Sequence, residues 1–244
     1  MKMNLSNIGH TFLAYDGVNL SDHFVVKSID MPLLPTIDAA SIAIDGKPGA
    51  WFSKRQIGTR DIIVGLGMLN DDRNRKDILQ NWIMLSDILA KDTECKLELG
   101  DGRYVNAVLV GDTEMEFNGR WSVVNVTFRC FDPYVYGDEH TVSLKQGNNT
   151  FNVLGKYPTN PVIKITGAST VTVTDNDTGD KVRVESIASG KTLVIDMGEY
   201  RCTIDGLYKS ADLTVTDFWP LRPGRNTLNL SSGSGTLTYR EVYL

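Results

Sequence analysis

One dipeptide constrains the fold of this chain more than any other feature. Asn118-Gly119 stands between two alternating runs, residues 112–117 and 120–130. Asn-Gly supplies the positive φ angles of a type I′ turn, so the segment predicts a β-hairpin. In the first run Thr113, Met115 and Phe117 share one face, while Asp112, Glu114 and Glu116 share the other. In the second, Val124, Val126, Phe128 and Cys130 alternate with Asn125, Thr127 and Arg129, which turns Cys130 toward a core.

The neighbouring segments extend this pattern. Cys95, Leu97 and Leu99 alternate and lead through Gly100-Asp101-Gly102 into residues 103–110, a second hairpin with Cys95 as a small buried hydrophobe. Residues 61–68 read as a strand weakened or bulged by Gly65 and Gly67. One helix interrupts the strands. Asp71 or Asp72 caps it, and Ile78, Trp82, Leu85 and Leu89 recur at helical spacing, with Leu79 and Ile83 widening the stripe. Arg73, Arg75 and Lys76 oppose the helix dipole in its opening turns and read as a solvated basic face.

Residues 45–58 read as a loop bracketed by glycine and proline. It carries two adjacent aromatics, Trp51 and Phe52, and two adjacent cations, Lys54 and Arg55. Exposed aromatics beside arginine are typical interface anchors, and long loops are often functional. The competing expectation folds the two rings back over the local core.

At Asp132-Pro133-Tyr134-Val135-Tyr136-Gly137 the long strand ends and the helical signal disappears. Short strands follow at a spacing of about 8–12 residues, the pattern of a sandwich. The chain has 244 residues, enough for one large domain or two modest ones, and the boundary expected here divides it into 1–137 and 138–244. The first part carries 14 basic and 18 acidic residues and the second 11 and 12, within an overall net of −5. Neither part has the basic surface that gripping phosphates requires. Three cysteines cannot close a disulfide framework, which fits a reducing compartment. No signal peptide and no run of about 18 apolar residues is apparent.

Chemistry is hard to find in these residues. His10, His23 and His140 are isolated, the cysteines are far apart, and no nucleophile motif or phosphate loop appears, so no catalytic residue, metal site or cofactor is expected. Residues 175–180 resemble a calcium loop, but glycine falls at the fifth position and Ser186 at the twelfth, so a hairpin turn is the better reading. Trp219 is the one tryptophan after residue 138 and the candidate platform for a sugar, with core packing as its plainer role.

An ordered set of motifs runs along the whole chain. Phe12 with Tyr15-Asp16-Gly17, then Val25-Val26, Ile29 and Met31-Pro32, stand near the start. Asp45-Gly46, the helix around Trp82, and Leu97 followed by Tyr104 come next. The densest stretch is Phe128-Arg129-Cys130-Phe131-Asp132-Pro133-Tyr134-Val135-Tyr136-Gly137. Asn160-Pro161, Gly167, Leu193-Val194-Ile195-Asp196, Asp205-Gly206 and the segment 217–226 around Phe218-Trp219-Pro220 follow. In this order the motifs resemble the distal tail protein (Dit) family of long-tailed, non-contractile bacteriophages.

The resemblance implies a fold and a role. The expected class is mainly β: a tail-tube-like β-sandwich or barrel domain with one helix over 1–137, then a galectin-like β-sandwich over 138–244. In the family the first domain closes into a homo-hexameric ring that joins the tail tube protein to the tail-tip or baseplate hub protein. The second domain projects outward and often docks receptor-binding or other tip proteins. Such a protein is a virion component at the distal end of the tail, assembled in the host cytoplasm, with no membrane partner. Its work is geometry and an open channel for DNA passage, with no bond chemistry and no cofactor. An acidic chain suits a conduit past which DNA must slide without sticking. Trp51, Phe52, Lys54 and Arg55 are then the expected ring or tube contacts. The alternative is a carbohydrate-binding tail-tip module contributing to host adsorption, with Trp219 as its ring. The second part is too compact for a saccharide-binding insertion and lacks the histidine, arginine and tryptophan pattern of true galectins. Among rivals, a plain tube subunit does not account for the added sandwich, and a hydrolase has no visible site.

Overall fold

The computed structural model describes residues 2–4, 12–69, 75–118, 121–208 and 213–244. Contacts divide the chain into two compact units, Met1–Val135 with Leu244, and Tyr136–Tyr243.

The first unit contains β1 (Lys2–Asn4), β2 (Ala14–Tyr15), β3 (Val18–Asn19), β4 (Val25–Pro32), β5 (Ile37–Ala43), β6 (Ala50–Ile57) and β7 (Arg60–Leu69). A helix, α1 (Arg75–Leu89), precedes β8 (Cys95–Glu98), β9 (Tyr104–Val110), β10 (Met115–Asn118) and β11 (Trp121–Cys130). Hairpin β10–β11 pairs Asn118 with Trp121. The expected hairpin is therefore present, while Gly119 and Arg120 lie outside the described residues. Strand β11 pairs with β7 along its whole length, from Trp121↔Leu69 to Cys130↔Arg60. Val124, Val126, Phe128 and Cys130 are all buried, as the alternation requires.

Strand order runs β1-β4-β7-β11-β9, with β8 joined to β9 and to β2. Strand β9 divides its pairing: residues 104–107 meet β8 and residues 108–110 meet β11. Strand β9 thus links β8 and β11 within one connected sheet, and among the described residues the order does not return on itself, so the mainly β expectation holds and no barrel closes.

Helix α1 packs through a narrow stripe. Trp82, Leu85 and Leu89 are buried, but Leu79 and Ile83 are 46% and 61% exposed, so they do not widen the stripe. The indole of Trp82 is the largest group in the contact, its ring tilted against Phe24 with centroids 5.4 Å apart and its Nε1 donating to Ser122 Oγ at 3.2 Å. Asp71, Asp72 and Arg73 lie outside the described residues, as do the side chains of Arg75, Lys76 and Ile78. Below, Tyr15 packs on Phe128 at 5.0 Å, and its hydroxyl donates to the Ala107 carbonyl. Burial pushes the Tyr15 phenol well above its ordinary range.

The two glycines of β7 do not bulge their own strand. The irregularity falls in β4, between Val26 and Ser28. A Cβ at Gly65 would stand 2.8 Å from Ser28 Oγ, and one at Gly67 would stand 2.6 Å from Lys27 Cε. The glycines make room for side chains folded over them from the bulged neighbour.

The second unit contains β12 (Val135–Leu144), β13 (Gly147–Val153), β14 (Val162–Thr166), β15 (Val171–Asp175), β16 (Lys181–Val184) and β17 (Leu193–Asp196). They are followed by β18 (Arg201–Ile204), β19 (Leu207–Tyr208), β20 (Leu213–Val215), β21 (Gly224–Leu230) and β22 (Ser234–Tyr243). One layer runs β12-β22-β14-β17-β18-β19 and the other β13-β21-β15-β16-β20. Their inward residues form one core, with Ile163, Ile165, Leu193, Ile195 and Leu237 from the first layer and Val171, Val173, Val182, Leu228 and Leu230 from the second. Strands β12 and β13 follow directly on the proline-aromatic exit, where the sequence reading expected none before residue 161.

All three cysteines are free thiols. Cys130 and Cys202 are buried, and burial pushes both thiols up to about 12. Cys95 is only half-buried, because β8 begins at it and leaves it at the margin of the core. The calcium-like segment is a hairpin turn between β15 and β16. Asp175 is buried there, accepting from the Asp177 amide at 3.0 Å and the Thr178 hydroxyl at 3.1 Å, so its oxygens serve the turn. No group of metal-ligating side chains occurs among the described residues. No helix among them is long and apolar enough to cross a membrane.

Candidate interaction surface

Residues 50–57, expected as part of a loop, are strand β6, and only residues 44–49 connect it to β5. The loop reading failed because Ala50-Trp51-Phe52-Ser53-Lys54-Arg55-Gln56-Ile57 shows no alternation. Alternation marks a strand with one wet and one buried face, and this one has none buried. Every residue of β5 is exposed, and so is every residue of β6 but Ile57. Among the described residues the two strands pair only with each other, as a separate two-stranded sheet. The turn reverses through Gly46 and Gly49 at φ of +78° and +86°, with the Lys47 amide donating to the Ile44 carbonyl.

A bulge decides what each face of this arm presents. Register runs Ala39↔Arg55 and Ala40↔Lys54, then Ser41↔Phe52 and Ile42↔Trp51, leaving Ser53 unpaired. Cross-strand partners point to the same side, so Phe52 shares a face with Arg55, and Trp51 shares the opposite face with Lys54 and Ile42. Without the bulge, Phe52 and Lys54 would lie together. Each face therefore offers one aromatic ring and one cation. Trp51 is 59% and Phe52 69% exposed, and Lys47 Nζ lies 4.7 Å from the Trp51 ring centroid. The competing expectation, with both rings folded over the core, is not what the chain does.

An isolated two-stranded hairpin is marginal in water. Ile37, Ile42, Ile44, Trp51 and Phe52 of this arm all face solvent, an apolar patch of the kind that monomers rarely expose. Its charge contrasts with its surroundings. Residues 37–57 hold three cations against two carboxylates, while the rest of residues 1–137 holds 11 against 16. The isoleucines of β5 were missed from sequence for the same reason as β6, since nothing in their spacing reports a half-buried face.

Trp219 stands elsewhere in the chain and in another role. It is 4% exposed within the core of the second unit, so its ring is closed to a sugar and the packing role holds. Arg60 also escaped the sequence reading. It is 2% exposed, its Nε and Nη2 lack hydrogen-bond partners among the described residues, and burial lowers its pKa.

Residues 154–243 match the family described as "Siphovirus-type tail component, C-terminal domain". The chain is 26% identical over 247 aligned positions to the distal tail protein of Bacillus phage SPP1, covering 95% of both chains. It also superposes on the crystal structure of the SPP1 Dit protein, described there as a paradigm of hub adsorption apparatus in phages infecting Gram-positive bacteria. That match has a TM-score of 0.84 at 20% identity and covers 96% of this chain and 99% of the other. A chain of the phage P2 baseplate, in its activated conformation with calcium, matches at a TM-score of 0.50 and 10% identity, over 87% and 90% of the two chains. These last two likenesses speak for the fold alone. Residues 154–243 thus match the siphovirus-type tail component family, and along nearly its full length the chain is similar to a phage distal tail protein.

Proposed function

We propose that this chain is a structural distal tail protein whose first unit closes into a homo-hexameric ring between tail tube and tip hub. The ring leaves a passage for DNA, and the second unit offers a docking platform for receptor-binding or other tip proteins. The protein acts in the virion after assembly in the host cytoplasm, and it performs no bond chemistry.

The observation that carries this reading is the β5–β6 arm, bare on both faces and basic against an otherwise acidic unit. An apolar and basic projection fits the acidic surface of another copy better than it fits its own equivalent. Such a contact is heterologous, and heterologous contacts that close generate rings. A net charge of −5 favours DNA transit over DNA capture. Carbohydrate adsorption through Trp219 lacks an exposed ring to support it.

Light scattering and native mass measurement test the proposal. The purified chain is expected as a hexamer or a stacked pair of hexamers, and Trp51→Ala/Phe52→Ala as a folded monomer. A strictly monomeric wild type, or a double variant that keeps the ring and still binds tube, refutes it.

A further inference from the structure

Two surfaces of the first unit serve no purpose within its own fold. On α1, Leu79 and Ile83 stand one turn apart and are 46% and 61% exposed, and Asp87, one turn further on, is exposed as well. Residues four apart on a helix are neighbours, so the three form one row of two apolar side chains and a carboxylate. Folding gains nothing from this row. The apolar pair stays in water, and Asp87 sits in the last turn, where a negative charge opposes the helix dipole and no basic residue offsets it.

The other surface is the arm. Phe52 shares its face with Arg55 and is the more exposed of the two rings at 69%. Trp51, on the opposite face, already has the Lys47 ammonium over its ring. Because the bulge at Ser53 takes up one residue, Phe52 and Arg55 pair with Ser41 and Ala39, two positions apart. Ring and cation are therefore separated by about 7 Å along the arm. On the helix, Ile83 and Asp87 are separated by about 6 Å of rise. A ring and a cation on the arm thus match an apolar pair and a carboxylate on the helix, in order and in spacing.

We propose that α1 of one copy is the seat for the β5–β6 arm of the next, with Phe52 against Leu79 and Ile83 and Arg55 forked on Asp87. This rests on the ring reading above and names the surface on which the arm lands. The two halves of the contact lie on different elements of every chain, so the contact is heterologous and repeats from copy to copy. Covering apolar side chains that otherwise face water drives it, and the charge pair fixes its register. Arginine suits the carboxylate because its planar fork donates to both oxygens.

Light scattering and native mass measurement on charge-reversed full chains test this. Arg55→Glu and Asp87→Arg each set like charges across the contact, and each alone is expected to weaken association by at least about tenfold. Asp87→Arg removes an unfavourable charge from the helix end, so thermal melting should show a subunit at least as stable as wild type. Leu79→Ser/Ile83→Ser should lose the ring with no change of charge. The decisive sample is an equimolar mixture of Arg55→Glu and Asp87→Arg chains. In an alternating ring the reversed arm of one variant meets the reversed helix of the other, and every remaining contact is a native pair. The mixture should therefore regain the wild-type mass, and the double variant Arg55→Glu/Asp87→Arg should assemble by itself. Single variants that assemble as readily as wild type, a Leu79→Ser/Ile83→Ser chain that keeps the ring, or a mixture that stays dissociated overturns the proposal. A wild-type ring indifferent to Asp87→Arg leaves the ring reading standing, whereas a monomeric wild type removes both, so the two failures are distinguishable.

Discussion

Arg129 holds Asp61 by a fork across paired strands, Nε to Oδ1 and Nη2 to Oδ2, each at 2.8 Å. Hydrogen bonding to the guanidinium keeps the Asp61 carboxyl below its ordinary value. A depressed carboxylate stabilises the fold fully above its unfolded pKa of about 3.9, and the contribution is lost as pH falls through the folded value. Chemical denaturation of wild type and Asp61→Asn should therefore differ at pH 7 and converge as the pH drops well below 4. A gap that persists into strong acid contradicts the assignment.

Trp82 carries the attachment of α1 to the first unit. Its replacement by alanine empties an indole site and removes a donor from Ser122, at an expected cost of about 3–5 kcal/mol. Trp82→Phe keeps most of the volume and should cost about 1 kcal/mol, the loss of one hydrogen bond. Urea unfolding distinguishes the two. Equal costs for both variants argue that the hydrogen bond, not the packing, fastens the helix.

Gly155→Ala combines a positive φ with a backbone clash at Val242 and should destabilise the protein by roughly 2 kcal/mol or more. Gly179→Ala is strained at φ +81° but meets nothing within 4 Å. Its cost should be smaller, about 1 kcal/mol. Thermal melts that rank the pair in reverse order contradict this account of close approach.

Thiol labelling should divide the cysteines. The native protein is expected to react at Cys95 alone, while Cys130 and Cys202, buried and with thiols pushed up to about 12, react only on unfolding. Rapid native labelling at either buried position contradicts the core assignments.

Arm variants should leave the subunit's stability almost untouched. Trp51 and Phe52 are exposed, so their replacement by alanine is expected to change unfolding of the isolated subunit by no more than about 0.5 kcal/mol, the usual scale for surface positions. The same changes should reduce assembled mass, so the two readouts separate folding from contact.

What could be read in advance follows one physical divide. Val124, Val126, Phe128 and Cys130 announced β11 because one face of that strand is buried, and burial imposes a period of two. Trp51 and Ile42 announced nothing, since a strand wet on both sides is under no such constraint. Leu79 and Ile83 misled for a related reason: an apolar residue flanking a helical stripe is not obliged to be covered when an indole already fills the contact. The bulge at Ser53 is a property of pairing between two strands, so neither strand's sequence contains it. Trp219 was legible as core from its setting between Phe218 and the Pro220-Leu221 exit.

The arm's isolation has an evolutionary side. A residue in the core answers to every neighbour it touches, so its replacement is tested first by whether the protein folds. Residues of β5 and β6 other than Ile57 are exposed, so folding constrains them little. On the proposed reading their identity answers chiefly to the contact surface, so the arm can drift in step with its partner while the body behind it stays unchanged.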